Sequence, residues 1–120
     1  MKYLCFITLL SLGTFAFGQN RDTSFLENNQ IKYISYFDSG EVKQEGTYDL
    51  EGERDGKWTA YGLNREITST VSFYHGLKHG EWIIYNDSGQ LVSKMYYNMG
   101  KRVGTWKSYK NGELAQTREY

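Results

Sequence analysis

The chain has 120 residues, a formal net charge of zero, one cysteine, no proline and 17% aromatic residues. Near-neutrality removes the broad electrostatic attraction on which non-specific binding to nucleic acid or to anionic membranes depends, so neither is an expected partner. A chain of this length forms one domain, and without disulfides its burial must come from aromatic packing.

Residues 1–18 have the features of a secretory signal peptide. A basic start precedes an apolar run, and Ala16 and Gly18 place small residues near the cleavage point, which predicts cleavage before Gln19. The run is shorter than the roughly 20 residues needed to cross a bilayer, so a retained membrane anchor is the less favoured alternative. Cys5 lies early in the run, whereas a lipoprotein's acylated cysteine would follow it. The protein is therefore predicted to be periplasmic or secreted, and not a lipoprotein.

A repeat of 24 residues dominates the rest of the chain. A tryptophan marks each repeat, a tyrosine follows it three positions later, and two glycines four positions apart precede it. Such periodicity predicts repeated supersecondary units, each of which offers the same side chains to its neighbour. The repeated residues are Trp58, Trp82 and Trp106; Tyr61, Tyr85 and Tyr109; and Gly52, Gly56, Gly76, Gly80, Gly100 and Gly104.

One further unit precedes these three. The segment that starts at Tyr33 matches the one that starts at Trp82, with tyrosine in the tryptophan's place and one additional residue in the unit. The repeat domain is therefore predicted to span 33–120, with units starting near residues 33, 58, 82 and 106. Residues 19–32 are polar and lack periodicity, which predicts a flexible lead-in.

Each unit has the pattern of a β-hairpin. Val71 and Phe73 face one side of a predicted strand while Thr70 and Ser72 face the other, and Asp-Ser-Gly and Asn-Gly sequences provide turns. The absence of proline fits a backbone whose N–H groups nearly all take part in the ladder. The predicted fold is all-β, an open antiparallel meander of repeated β-hairpins with about eight strands, in which the Gly-x-x-x-Gly segments are loops.

Two sets of columns are predicted to cross this sheet. The aromatic columns are expected to be structural, since each cross-strand pair contributes about 0.2 to 1 kcal/mol, although some rings could be exposed for ligand stacking. A cationic row with a spacing of about 10 Å would suit an acidic partner, a phosphate or a sulfate, but the favoured interpretation is that these charges only keep an exposed loop soluble. The aromatic columns are Trp58, Trp82 and Trp106, and Tyr48, Phe73, Tyr97 and Tyr120; the row is Arg54, Lys78 and Arg102.

The residues give no pattern typical of catalysis or of a metal site. His75 and His79 would share a face only on a helix, but the neighbouring Gly76 and Gly80 predict a loop. The carboxylates show no recurring pair of the kind that a glycosidase needs. We therefore expect no enzyme activity, no metal and no cofactor.

Residues 80–91 and 96–104 resemble the MORN-repeat variant, whose pattern is a G-x-W-x-x-Y-x-x-x-G-x-L core followed by a Y-x-x-G-x-x-x-G return. The resemblance covers 33–120, and it departs from the pattern at Arg65, where the turn glycine is missing, which predicts a wider or irregular hairpin. The resemblance implies a role as a YwqK-like antitoxin, as a protein-interaction scaffold or as a phospholipid-binding scaffold. The exported start suits an immunity or binding role outside the cytoplasm better than a cytoplasmic toxin–antitoxin pair.

Two classes of function stay open at this point. The first is a non-enzymatic module that binds an unidentified protein partner, in an antitoxin-like or immunity-like role. The second is a module that binds glycans or lipid headgroups through exposed aromatic residues. A purely structural role in a larger surface assembly is a third alternative. The last strand carries many charges, which natural sheets use to prevent edge association, so a monomer is expected.

Overall fold

The computed structural model of the protein describes residues 22–120, and the predicted signal peptide lies outside the described residues. Within this range the chain has no helix, and its eleven strands belong to one sheet. This part of the chain therefore offers no helical segment with the length and hydropathy that a bilayer crossing requires. The strands are β1 (Thr23–Glu27), β2 (Gln30–Tyr36), β3 (Val42–Tyr48), β4 (Gly56–Tyr61), β5 (Ile67–Tyr74), β6 (Leu77–Lys78), β7 (Gly80–Tyr85), β8 (Leu91–Asn98), β9 (Lys101–Arg102), β10 (Thr105–Lys110) and β11 (Glu113–Glu119).

The sheet is an antiparallel meander in the order β1-β2-β3-β4-β5-β7-β8-β10-β11, with β6 paired to β5 and β9 paired to β8. The predicted fold class is thus confirmed. The strand count exceeds the expected eight because β1 and the short strands β6 and β9 were not predicted. β6 and β9 lie inside the Gly-x-x-x-Gly segments, which are therefore small hairpins rather than plain loops.

The first hairpin lies where the sequence predicted a flexible lead-in. Residues 23–32 instead form β1 and the start of β2, which pair in register from Thr23 with Ile34 to Glu27 with Gln30. Asn28 and Asn29 have positive φ angles of 50° and 59°. Asparagine tolerates this conformation, and a tight two-residue turn needs it, so the Asn-Asn pair closes a hairpin that a composition argument overlooks.

Four later hairpins share one irregularity. In each of them the register shifts by one residue immediately before the tyrosine of the unit, which is a β-bulge. Because the bulge recurs at the same position, each unit bends and twists in the same way, and equivalent side chains stay aligned across the sheet. The cross-strand pairs that follow the shift are Tyr36 with Val42, Tyr61 with Ile67, Tyr85 with Leu91, and Tyr109 with Leu114.

The turn at Arg65 is regular, so the prediction of a wider or irregular hairpin is wrong. The amide of Gly62 donates to the Glu66 carbonyl at 2.8 Å, and the amide of Arg65 donates to the Gly62 carbonyl at 3.0 Å. The corresponding turn one unit later has the same two bonds, from Asn86 to Gln90 at 2.9 Å and from Gly89 to Asn86 at 3.0 Å. Arg65 simply takes the glycine's conformation, with a φ of 67°.

Candidate functional site

Aromatic rings form a ladder along one face of the sheet. Tyr97 lies between Trp82 and Trp106, with ring centroids 5.4 and 5.2 Å away. The ladder continues from Trp82 to Phe73 at 5.2 Å and from Trp106 to Tyr120 at 4.7 Å. Trp58 packs against Tyr48 at 4.9 Å and Tyr33 at 5.8 Å. Each tryptophan thus contacts aromatic rings that lie diagonally across neighbouring strands, two residues along from its directly paired position.

Each tryptophan is also fixed by its indole N–H. Neighbouring hairpins share only two ladder pairs, for example Gln44 with Ala60 and Glu45 with Thr59. Beyond that short ladder, the indole of the following unit donates to a carbonyl of the preceding one. The bonds are Trp58 Nε1 to Thr47 O at 2.9 Å, Trp82 Nε1 to Ser72 O at 2.8 Å, and Trp106 Nε1 to Tyr96 O at 3.0 Å.

The predicted cationic residues lie over this ladder. Cross-strand pairing places Arg54 opposite Tyr48, Lys78 opposite Phe73, and Arg102 opposite Tyr97, so the cations share the face of the rings. The distances from cation to ring centroid are 4.5 and 5.4 Å from Arg54 to Trp58 and Phe73, 4.8 and 5.0 Å from Lys78 to Trp82 and Tyr97, and 5.4 and 5.5 Å from Arg102 to Trp106 and Tyr120. We call these three residues the cation row.

The charges of the cation row have no acidic partner in the described part of the chain. The two ion pairs found within residues 22–120 are Arg65 with Glu41 at 2.7 Å and His75 with Asp49 at 2.8 Å. Arg54, Lys78 and Arg102 are all exposed. Ring contacts at these distances are attractive because the cation meets the negative face of the π-system. The rings therefore hold the three cations in place and leave their charge uncompensated.

Apolar side chains extend from the same end of the sheet as the cation row. Leu77 directly precedes Lys78, and Met99 stands at the turn before Arg102; both are close to half exposed. Leu50, in the loop that contains Arg54, is 64% exposed. We call Leu50, Leu77 and Met99 the apolar tips. Sequence reasoning did not single them out, because the three residues are not equivalent positions of the repeat.

The loop of residues 49–55 is organised by Asp49. Its side chain is 11% exposed, and it accepts the amide N–H groups of Glu51 at 3.0 Å and Glu53 at 2.9 Å. His75 Nδ1 lies 2.8 Å from the other carboxylate oxygen. The bond to His75 and those from the Glu53 and Glu51 amides lower the pKa of Asp49. The bond to Asp49 correspondingly raises the pKa of His75.

These groups do not make a convincing metal site. Carboxylate oxygens of Asp49, Glu51 and Glu53 lie within 4.8 Å of one another, but both oxygens of Asp49 already accept hydrogen bonds. His79 Nδ1 accepts the amide N–H of Met99 at 3.1 Å. The two histidines thus have separate structural partners. Sequence reasoning missed the pair of His75 with Asp49, because the partner lies in the preceding unit, 26 positions away.

The opposite side of the sheet has polar groups that satisfy one another. A shallow depression is lined by Glu41, Val42, Glu45, Tyr61 and Arg65. The hydroxyl of Tyr61 donates to Glu45 at 2.9 Å, and burial together with this bond raises the pKa of Tyr61. The ion pair with Arg65 lowers the pKa of Glu41. Because these charges are matched locally, this depression attracts a charged partner less than the cation row does.

Comparison with known proteins agrees with the repeat architecture. The MORN repeat variant family matches residues 30–50 and 78–99, which contain the hairpins β2-β3 and β7-β8. The chain is similar to this family at those two places, just over a third of its length. No curated protein and no solved structure gave a significant match. The fold and the family match together identify a repeat module.

Proposed function

We propose that the protein is an exported, non-enzymatic repeat module that binds an acidic protein partner through the cation row. The observation that carries this proposal is that Arg54, Lys78 and Arg102 each lie over aromatic rings, are exposed and have no carboxylate partner within residues 22–120. Surface cations are more often paired or mobile. A row that is ordered by rings loses little conformational freedom when a partner binds.

The geometry of the row suits an acidic polypeptide. One unit advances the sheet by two strands, so successive cations are about 10 Å apart. A polyproline II segment rises about 3.1 Å per residue with three residues per turn, so carboxylates at every third residue would lie on one face at nearly this spacing.

Export and an immunity-like role extend this proposal. The sequence of residues 1–18 supports export. An immunity-like role, as an inhibitor of a toxin-like protein outside the cytoplasm, is what the resemblance to YwqK-like antitoxins implies for an exported chain. Glycan binding by open ring faces has less support. Trp58 is buried, and Trp82 and Trp106 are half buried and lie beneath cations. Binding to lipid headgroups or glycans is therefore an alternative outcome of the experiment below.

The experiment compares two triple variants of the exported protein. In the row variant, Arg54, Lys78 and Arg102 become glutamate. In the control variant, Lys57, Lys94 and Lys107 become glutamate, which changes the charge equally on the opposite face, because each of these lysines neighbours a residue of the ladder face. Cross-linking and mass spectrometry of the envelope fraction would identify partners, and titration with each purified candidate would give its affinity.

The proposal expects a protein with an acidic surface to bind the wild type and the control variant but not the row variant. The affinity should fall as salt is raised, because an exposed charged interface is screened. Equal binding of both variants would exclude the cation row as the binding surface. Binding only to phosphatidylglycerol vesicles or to sulfated oligosaccharides would replace the protein partner with one of those ligands.

A further inference from the structure

We propose that His75 acts as a pH-dependent clasp on the loop of residues 49–55 and thereby controls the first cation of the row. The inference builds on the proposed function, since it concerns the regulation of the same surface. It starts from hydrogen bonds between two neighbouring units that share no ladder pair at this point.

Three hydrogen bonds join the turn of β5 and β6 to this loop. His75 Nδ1 lies 2.8 Å from Asp49 Oδ2, and the His75 amide donates to Asp55 Oδ1 at 3.1 Å. The amide of Gly76 donates to the carbonyl of Arg54 at 2.7 Å. Arg54 is thus held at its backbone by the turn and at its guanidinium by Trp58 and Phe73. The clasp therefore acts on this cation through the turn, whose Gly76 amide holds the Arg54 backbone.

The surroundings of His75 favour its charged form. Two carboxylates contact the residue, Asp49 at the ring and Asp55 at the amide. Glu51 adds an attractive charge from the same loop. Glu53 lies against Gly76, where an added β-carbon would be 3.4 Å from the Glu53 carboxylate. The ring of Tyr74, the last residue of β5, lies 4.4 Å from the His75 ring and also approaches His79 at 5.8 Å.

The direction of the pH effect follows from these contacts. The bond to Asp49 raises the pKa of His75 in the folded protein above its ordinary value of about 6.5. The charge-assisted bond is therefore fully present below about pH 6.5 and is lost as the pH rises through the folded value. The pKa of Asp49 is lowered, so the carboxylate's contribution to the bond is lost only in acid, well below the range in which His75 titrates. The clasp therefore holds the loop most firmly between the lowered pKa of Asp49 and the raised pKa of His75.

Two substitutions separate the clasp from other histidine chemistry. His75→Asn keeps a donor near Asp49 and suits the positive φ of 44° at this position, but it does not titrate. His79→Asn is the matched control, because its side-chain oxygen can replace the nitrogen that accepts the Met99 amide. Both variants are expected to fold, since neither site is buried.

The first measurement is amide hydrogen exchange of Glu51 and Glu53, corrected for the intrinsic effect of pH on exchange. Both amides donate to Asp49 and so report on the loop. We expect their protection to fall roughly two- to fivefold between about pH 6 and pH 8.5 in the wild type and in His79→Asn, a range typical of an exposed ion pair, and to stay constant in His75→Asn. A pH response that persists in His75→Asn, or a flat wild-type profile, would overturn the clasp.

The second measurement is binding of a polyglutamate peptide at the two pH values. Weaker binding at the higher pH in the wild type but not in His75→Asn supports control of Arg54. The same pH dependence in both proteins refutes that control while the proposed function stands. If the peptide binds at no pH but amide protection falls as expected, the proposal of an acidic partner fails and the clasp is still supported. The two proposals therefore fail in different ways.

Discussion

Trp58 packs directly against the backbone of Gly46. A β-carbon at residue 46 would overlap the indole ring, and Trp58 is the apolar side chain that residues 22–120 bury most completely, with 3% of its surface exposed. The equivalent positions in the next two units are Val71 and Met95, which stand opposite Trp58 and Trp82 in their hairpins. The glycine therefore allows the first tryptophan to lie closer to the sheet than the other two.

We expect Gly46→Ala to destabilise the protein by about 1 to 3 kcal/mol, because the indole must move or the strands must separate. Gly62→Ala is the control, since its β-carbon would approach the Asn64 side chain at 3.0 Å and meet no ring. Urea unfolding followed by circular dichroism measures both variants. An effect at Gly46 no larger than that at Gly62 would show that the contact is unimportant.

The indole hydrogen bonds predict a graded response to Trp→Phe substitution. Loss of a neutral hydrogen bond costs about 0.5 to 1.5 kcal/mol, and each accepting carbonyl here also accepts a backbone amide. Trp82→Phe and Trp106→Phe should therefore cost about 1 kcal/mol each in the free energy of unfolding. Trp58→Phe should cost more, because this ring is buried. If urea titrations showed the same decrease in the free energy of unfolding for all three variants, this order would be wrong.

Arg65 adopts a conformation that suits glycine better, with a φ of 67°. A left-handed conformation costs a residue with a β-carbon about 1 to 2 kcal/mol. We expect Arg65→Gly to raise the free energy of unfolding despite the loss of the exposed pair with Glu41, and Arg65→Val to lower it. The two midpoints of thermal unfolding, compared with the wild type, test this order. A less stable glycine variant would show that the ion pair outweighs the backbone strain.

The clasp also predicts how stability depends on pH. The stabilising contribution of His75 is present below about pH 6.5 and is lost as the pH rises through its raised pKa. The wild type should therefore exceed His75→Asn in thermal midpoint most clearly near pH 6, and the difference should shrink toward pH 8.5. A difference that grows with pH would mean that neutral His75 makes the stronger bond.

The sequence predicts the architecture here because the repeat restricts it so strongly. Tryptophans at a fixed spacing must occupy equivalent places in stacked hairpins, and period-two alternation identifies the strands between them. The same reasoning failed where one or two residues decide a turn. Asn28 and Asn29 close a hairpin in a polar stretch, and Arg65 replaces a glycine without changing the turn.

The candidate site was predictable only in part. Arg54, Lys78 and Arg102 stand out as a column in the sequence, but their place over the rings depends on the strands β6 and β9 and on the bridge of Tyr48 with Arg54. The pairing of His75 with Asp49 joins two units at positions that the repeat does not relate, so periodicity gives no signal for it. Contacts within the repeat can be read from the sequence, whereas contacts that break it require coordinates.

The position of the cations on the rings is the claim on which the binding surface rests, and proton NMR of Lys78 tests it most directly. Protons near the face of an aromatic ring are shifted upfield, and Lys78 Nζ lies 4.8 Å from the Trp82 centroid and 5.0 Å from the Tyr97 centroid. We predict upfield-shifted Lys78 Hε resonances, with nuclear Overhauser effects to both rings and a return toward ordinary shifts in Trp82→Leu. Ordinary shifts without contacts to either ring in the wild type would contradict the account.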